Sequence, residues 1–334
     1  MAVSEPHAEP HAGPRQPRGR LAPSPTGYLH IGNARSFLLA WLQMRNVGGQ
    51  IILRIEDLDA QRATPNAATQ IVRDLRWLGL DWDNPLADDY FQSNRFPIYQ
   101  EALAELQARG LVYPCFCSRK ELRSIASAPH GSDGPIYPGT CRQLSPQQQQ
   151  QRSRQKSPAL RFAVQPGTVV THHDGVAGLQ REEVSQSTGD FIVARADGVV
   201  SYQLAVVVDD LRMGITHVLR GDDLLGSTPR QILLHNTFGG TPPTFAHVPL
   251  ILGPDGVRLA KRHGSVSVEE LRERGVAAQQ LVGWLAWSCG VIDRPEPVSA
   301  AELIAEFSIK KITNKPTQLD DSRALFGRFP LPAR

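Results

Sequence analysis

Apolar and polar positions along the chain follow the periods of strands and helices in turn. Residues 51–55 form a short apolar run that ends in acidic residues. This predicts a buried parallel strand that delivers Glu56 to the carboxyl edge of a sheet. Residues 64–80 and 97–109 have apolar positions at helical spacing with proline near the start, which predicts two helices. The pattern indicates an alternating α/β core.

Farther along the chain the pattern changes. Apolar alternation and frequent glycine between residues 160 and 208 predict strands, and residues 201–209 are expected to return the chain to the core. Helical runs are predicted at about 267–288 and 299–307. The glutamine-rich segment 147–151 is interpreted as a low-complexity surface linker.

A turn rich in proline and glycine precedes a further predicted helix. Residues 20–33 read RLAPSPTGYLHIGN and are followed by apolar residues at helical spacing. A helix opening at His30 offers unpaired N–H donors and partial positive charge to phosphate oxygens, and Gly32 lets a flat adenine approach the backbone. His30 can add a donor to the phosphates. The alternative is that the prolines and glycine only punctuate a turn and His30 is an ordinary first-turn residue.

This segment and a second one, residues 258–264 with the sequence RLAKRHG, resemble the two signatures of class I aminoacyl-tRNA synthetases of the glutamate type. Residues 258–262 stand where that family has its KMSKS loop. The resemblance implies that Lys261 contacts ATP and neutralises the charge that develops on the leaving pyrophosphate. Arg258 and Ala260 depart from the motif, so one lysine is replaced by arginine and one hydroxyl donor is missing.

Composition sets the class of protein. The chain has 334 residues, of which 41% are hydrophobic and 21% charged, values ordinary for a soluble globular protein of two or three compact units. No apolar run approaches the roughly 20 residues that cross a bilayer. The net charge of +3 permits a polyanionic partner without arguing for one. Residues 1–18 have the composition of a disordered tail and not of a secretory signal, so a cytoplasmic protein is expected.

Three of the four cysteines are close in sequence. Cys115, Cys117 and Cys141 are expected to be thiols in the cytosol, and three thiolates from two short loops suit a structural zinc ion. Tyr137 and His130 are both candidates for the fourth ligand, and reduced thiols without metal are the alternative. Cys289 lies in an apolar run and is expected in the core.

The charged residues suit glutamate as substrate. Glutamate has two carboxylates and one ammonium, so its pocket needs fixed cations and one acid. Arg20 and Arg220 can each hold a carboxylate by two hydrogen bonds, Glu56 can bind the ammonium, and Tyr202 adds a hydroxyl. The alternative is that these charges belong to surface ion pairs and a solvated strand end.

The order of motifs from residue 20 to the C-terminus resembles the glutamyl-queuosine tRNA(Asp) synthetases. The motifs are PSPTGYLHIGN, ILRIEDLD at 52–59, CFC at 115–117 with YPGTC at 137–141, and GITHVLRGDD at 214–223. The resemblance implies a Rossmann-like α/β catalytic core with an inserted zinc-bearing subdomain and a short helical C-terminal part. It also implies zinc ligation by Cys115, Cys117, Tyr137 and Cys141; glutamate contacts from Arg20, Leu21, Ala22, Pro23, Ser24, Glu56, Tyr202 and Arg220; and ATP contacts, with Mg²⁺ expected, from His30, Gly32, Asn33 and Lys261.

We therefore expect a tail at 1–18, the two halves of the catalytic core at 19–112 and 201–265, the inserted zinc and acceptor-binding subdomain at 113–200, and a helical part at 266–334. Only 73 residues follow Lys261, fewer than the roughly 100 of a separate domain, so no anticodon-binding domain is expected.

The expected reaction is ATP-dependent activation of glutamate and its transfer by a monomeric enzyme to queuosine in the anticodon of tRNA(Asp). Three alternatives are a shortened glutamyl-tRNA synthetase that charges the 3′ end, a free-standing activator with a carrier protein or small amine as acceptor, and an inactive zinc-bearing RNA-binding module.

Overall fold

The structure is a computed structural model, and it describes residues 16–59, 63–118, 121, 136–259 and 266–319. The α-helices are α1 (Ile31–Asn46), α2 (Ala67–Trp77), α3 (Phe96–Ala108), α4 (Pro146–Ser153), α5 (Val184–Ser187), α6 (Tyr202–Arg212), α7 (Thr228–Thr237), α8 (Val268–Glu273) and α9 (Ala278–Trp287). The strands are β1 (Arg18–Leu21), β2 (Gln50–Leu53), β3 (Val112–Cys115), β4 (Ala159–Phe162), β5 (Val169–Asp174), β6 (Gly178–Glu183), β7 (Phe191–Ala194), β8 (His217–Gly221), β9 (Thr244–Val248), β10 (Ile251–Leu252) and β11 (Thr317–Gln318).

Parallel strands form the centre of the fold. β1 pairs with β2, and β8 pairs with β9, both in parallel. The backbone N–H of Thr216, directly before β8, donates to the carbonyl of Arg18 in β1 at 2.8 Å, which brings the two pairs side by side. Helix α1 packs on β1, β8 and α9. The carboxyl ends of β1, β2 and β8 consequently point to one edge, where α/β folds bind ligands.

Antiparallel strands fill the middle of the chain. β3, β4 and β7 form one antiparallel sheet, and β5 and β6 form a hairpin. The hairpin touches the parallel strands because the N–H of Gly175, at its turn, donates to the carbonyl of Phe245 in β9 at 2.9 Å.

The hydrophobic core has two large parts. One part joins α1, α2, α8 and α9 to the parallel strands, and the other joins α3, α6 and α7 to the antiparallel sheet. Trp284 and Cys289 are both buried in the first part, which confirms the core position expected for the cysteine. Among the described residues, no helix combines the length and apolarity that crossing a bilayer requires.

Three sequence interpretations were wrong in secondary structure. Residues 147–151 belong to helix α4, because Ser145 and Gln148 form a capping box and glutamine is a good helix former. Residues 202–208 lie in α6 and not in a strand. Residues 204–208 of that helix are all apolar and buried, so they show no helical period, and Ser201 caps the helix.

The third error concerns residues 299–307, which form successive turns. The N–H of Leu303 and that of Ile304 each donate three residues back, to Ala300 and Ala301, at 3.2 Å. The Ile304 carbonyl accepts a hydrogen bond from the Asn46 side chain at 2.7 Å, a tertiary contact that competes with a helical one. The run predicted at 267–288 is divided into α8 and α9 at Gly275, whose φ is +84°. The predicted helices at 64–80 and 97–109 are present, the first being shorter than expected.

Candidate active site

A cavity of about 710 Å³ opens at the carboxyl ends of β1, β2 and β8. Its size lies within the range of roughly 300–1,000 Å³ typical of small-molecule sites. The predicted site residues that line it are Arg20, Ala22, Pro23, Ser24, His30, Gly32, Asn33, Glu56, Tyr202 and Arg220. Residues from both halves of the chain therefore meet in one cavity.

One predicted contact is placed differently. The side chain of Leu21 is fully buried in the core and does not line the cavity, because successive side chains of a strand point to opposite faces and Arg20 and Ala22 take the cavity face. Lys261 lies outside the described residues, as does His130.

The start of α1 forms one wall of the cavity. His30 is the N-cap residue with extended backbone, and the first helical bond joins the N–H of Ala34 to the His30 carbonyl at 2.9 Å. The preceding N–H groups of the first turn point out of the helix end. A Cβ added at Gly32 would meet no protein atom within 4 Å, so packing does not require glycine there. The space beside Gly32 belongs to the cavity.

The residues on both sides of segment 260–265 contact the start of α1. Before the segment, Arg258 forms an ion pair with Asp223 and donates to Asn33 Oδ1 at 3.3 Å. After it, Ser267 forms a β-bridge with His30, and the N–H of Val268 donates to the carbonyl of Leu29 at 2.8 Å. Arg258, the first residue of the second signature, is thus a neighbour of Asn33 in space, although the two are 225 residues apart.

A buried arginine that the sequence analysis missed lies behind the cavity. Arg54 is fully buried, and its guanidinium lies 2.8 Å from Asp210, 3.0 Å from Glu56 and 3.6 Å from Asp209. Burial alone would lower the pKa of Arg54, but these three carboxylates raise it above its ordinary value. The available signal was a charge inside the apolar run 51–55, since a buried charge has to be paired.

Glu56 is the acid on the cavity wall. Burial raises the pKa of Glu56 above its ordinary value, while Arg54 and then Arg20 act in the opposite direction and favour the carboxylate. Arg20 is itself buried, and its Nε lies 3.7 Å from Asp210 and has no hydrogen-bond partner among the described residues. Glu56 can therefore receive an ammonium group, and Arg20 retains hydrogen-bonding capacity.

Arg220 faces Glu56 from the end of β8. Its Nη1 donates to the Tyr202 hydroxyl at 3.3 Å, and its Nη2 donates to Thr228 Oγ1 at 3.0 Å. Burial lowers the pKa of Arg220, although neighbouring charged and phenolic groups partly compensate. Among the residues that the structure describes, no carboxylate lies within 4.0 Å of this guanidinium. A buried arginine without a paired carboxylate can bind one from a ligand.

The predicted metal ligands form a separate buried cluster. The Tyr137 hydroxyl lies 3.5 Å from Cys115 Sγ and 3.7 Å from Cys117 Sγ, and the sulfurs of Cys117 and Cys141 are 3.6 Å apart. Tetrahedral zinc with ordinary Zn–S and Zn–O lengths requires donor separations of roughly 3.5–3.8 Å. These three separations fit one zinc ion, and the three sulfurs all lie within 4.8 Å of one another.

Arg161 packs against this cluster. Its guanidinium lies 3.7 Å from the centre of the Tyr137 ring, and its Nε donates to Cys115 Sγ at 3.3 Å. The N–H of Cys141 donates to the Tyr137 hydroxyl oxygen at 2.8 Å. Burial raises the pKa of Tyr137 and of Cys117, so a metal ion that binds there would have to displace their protons.

Comparison with known proteins identifies related sequences. The family described as tRNA synthetases class I (E and Q), catalytic domain, matches residues 17–323. A protein of Symbiobacterium thermophilum named glutamyl-Q tRNA(Asp) synthetase is 53% identical over 90% of this chain and 95% of its own length. A protein of Koribacter versatilis named glutamate–tRNA ligase 2 is 42% identical over 91% of this chain and 63% of its own length.

A solved structure of a glutamate tRNA ligase has a similar fold. The crystal structure of a glutamate tRNA ligase from Elizabethkingia meningosepticum in complex with its amino acid has a TM-score of 0.79 and 28% identity. The match covers 93% of this chain and 68% of that one. The α/β fold class predicted from the sequence is confirmed.

Proposed function

Because this chain belongs to the class I tRNA synthetases of the glutamate and glutamine type, we propose that it activates L-glutamate with ATP and transfers the glutamyl group to queuosine in the anticodon of tRNA(Asp). The observation that carries the proposal is the cavity in which two arginines and one glutamate, matching the charges of the substrate, meet the N-terminus of α1. The chain catalyses ligation in two steps.

Glutamate binds between the charged walls of the cavity. Arg220 holds one substrate carboxylate with Tyr202 beside it, since its charge is not already neutralised by a protein carboxylate. Arg20 stabilises the negative charge on the opposite side, and Glu56 receives the ammonium. Glutamine lacks the second carboxylate and would leave a buried arginine unpaired, which costs a large part of the binding energy.

ATP binds at the start of α1. Its phosphates meet the N–H groups of the first helical turn and His30, and its adenine lies in the space beside Gly32. An oxygen of the glutamate α-carboxylate attacks the α-phosphorus, and the bond to pyrophosphate breaks. Lys261 and Arg258 stabilise the charge that forms on the leaving group, so that positioning and electrostatics supply the catalysis.

In the second step a hydroxyl of the queuosine cyclopentene ring attacks the carbonyl carbon of glutamyl-adenylate. The ester bond forms, AMP leaves with the bonding electron pair, and the hydroxyl proton passes to water. The names of two relatives, at 53% and 46% identity, support queuosine as the acceptor, and the relative named glutamate–tRNA ligase 2 is 42% identical.

We also propose that Cys115, Cys117, Tyr137 and Cys141 hold one structural zinc ion. Zinc would join the end of β3 and the residues that follow it to the segment before α4. The donor separations and the contacts of Arg161 support this ligand set.

Pyrophosphate exchange tests the first step. The enzyme is incubated with ATP, labelled pyrophosphate and either glutamate, glutamine or aspartate, with and without tRNA(Asp). Label should enter ATP with glutamate at least a hundredfold faster than with glutamine. Equal exchange with glutamine, or none with any amino acid in either condition, would overturn the proposal and favour a binding module without activity.

A further inference from the structure

Two buried residues outside the cavity lie directly behind Arg220. Arg220 Nε donates to His247 Nε2 at 2.9 Å, and His247 Nδ1 lies 2.6 Å from Asp174 Oδ2. Neither His247 nor Asp174 lines the cavity, and the side chains of both are fully buried. The chain of contacts therefore runs from the turn of the β5–β6 hairpin, through β9, to the end of β8.

Donor and acceptor chemistry determines the tautomer of this histidine. Arginine Nε carries a hydrogen and can only donate, so His247 Nε2 must accept. The proton of the neutral ring is consequently on Nδ1, where it is donated to Asp174. Thr228 Oγ1, at 3.1 Å from the same Nε2, can donate to it while accepting from Arg220 Nη2.

Asp174 is itself held firmly. Its Oδ1 accepts hydrogen bonds from the backbone N–H groups of Val176, Ala177 and His247 at 2.9–3.0 Å. Three N–H donors and the histidine keep this carboxylate ionised despite its burial, and they lower the pKa of Asp174. His247 therefore separates the negative charge of Asp174 from the Arg220 guanidinium, and the carboxylate does not pair with the guanidinium directly.

We propose that Asp174 and His247 are positioning residues that orient the Arg220 guanidinium for the substrate carboxylate, which deepens the proposed function and rests on it. A direct aspartate partner would occupy the fork of Arg220. A neutral histidine instead occupies only Nε and leaves Nη1 directed at Tyr202 and the cavity. The arrangement fixes the side chain without consuming the charge that binds glutamate.

The test separates glutamate binding from ATP binding. Steady-state pyrophosphate exchange is measured for His247→Gln, His247→Leu and Asp174→Asn, with KM determined for glutamate and for ATP. Leucine removes the acceptor for Arg220 Nε, and asparagine can reverse the tautomer. Both variants should raise the KM for glutamate about tenfold or more and change the KM for ATP less than twofold. Glutamine presents an amide oxygen as acceptor and should restore the glutamate KM to within threefold of wild type.

Two controls distinguish positioning from loss of stability. His235, in α7, is buried to the same 1% exposure as His247 but is not among the hydrogen-bond partners of Arg220, so His235→Leu should lower thermal stability and leave the glutamate KM unchanged. In an Arg220→Gln background, His247→Leu should have little further effect, because the two residues act as a unit.

The results decide between two failures. If the wild type shows no glutamate-dependent exchange, the proposed function fails. If the wild type is active but His247→Leu and Asp174→Asn keep the wild-type KM for glutamate, or raise both KM values equally, the positioning role is refuted and the proposed function stands. Additive effects of His247→Leu and Arg220→Gln would also refute it.

Discussion

The buried contact between Arg54 and Glu56 leads to a prediction for Arg54→Gln. The substitution removes the guanidinium that lies 2.8 Å from Asp210 and 3.0 Å from Glu56. Asp209 keeps its ion pair with Arg95 at 2.7 Å, whereas the ion pair that Asp210 keeps among the described residues is the one with Arg20 at 3.7 Å. Breaking a buried ion pair costs about 3–5 kcal/mol of the free energy of unfolding, against a total of roughly 5–15 kcal/mol for a folded domain. The variant should fold with clearly reduced stability.

The same substitution changes the protonation of Glu56. Burial already raises the pKa of Glu56, and Arg54 is the larger of the two opposing effects, so its loss raises that pKa further. A protonated Glu56 cannot pair with the ammonium of glutamate. Each unit by which this pKa exceeds the assay pH weakens glutamate binding by about tenfold. The KM for glutamate should therefore fall as the pH rises through the raised pKa of Glu56, with an inflection at higher pH than in wild type.

The free energy of unfolding should fall with rising pH, whereas the affinity for glutamate should rise. Between the ordinary glutamate pKa of about 4.3 and the raised native pKa, the native state binds more protons than the unfolded state, so stability falls as pH rises. This window is wider in Arg54→Gln than in wild type. Urea unfolding and pyrophosphate exchange at the same set of pH values measure the two effects on one protein.

Arg95→Gln is the matched control, because it removes another buried arginine that pairs with Asp209 and leaves the contact between Arg54 and Glu56 intact. It should lose stability and keep the wild-type inflection in the glutamate KM. An unchanged inflection in Arg54→Gln, or an equal shift in both variants, would refute the role assigned to Arg54.

Three further predictions concern the ATP site and the proposed zinc site. Gly32→Ala should raise the KM for ATP in the exchange assay about tenfold, because the added methyl group enters the space of the ligand. The free energy of unfolding in urea should stay unchanged or rise by up to about 1 kcal/mol, because alanine favours the helix. Lys261→Ala should lower the kcat of exchange by about 10²–10³ with smaller effects on either KM, measured in the same assay. Arg161→Ala should lower zinc affinity about 10–100-fold, measured by competition with a chromogenic chelator. Tyr137→Phe should lower zinc affinity at least as much. Unchanged zinc affinity in both variants would contradict the proposed ligand set.

The sequence predicted those parts of the site that local pattern encodes. The helix opening at His30, the strand that ends before Glu56 and the clustering of Cys115, Cys117 and Cys141 follow from residues close together in the chain. Ten of the predicted glutamate and ATP contacts line one cavity. Their individual roles stay predictions that the exchange experiments test.

The remaining parts depend on tertiary contacts. Arg54 meets Asp210, 156 residues away, and Asp174 meets His247, 73 residues away, so neither pair has a signature in a local window. The strand prediction for residues 202–208 failed for a related reason. Residues 204–208 are all apolar and buried, and such a run is indistinguishable by period from that of a buried strand.

The acceptor is the central claim, and its direct test is transfer of labelled glutamate to two preparations of tRNA(Asp), one with queuosine at the wobble position and one with unmodified guanosine. Nuclease digestion then locates the labelled nucleotide. If the enzyme transfers glutamate to queuosine, label is expected only in the queuosine-containing tRNA and only in its anticodon loop. Label on the 3′-terminal adenosine, irrespective of queuosine, would show a charging enzyme and contradict the account.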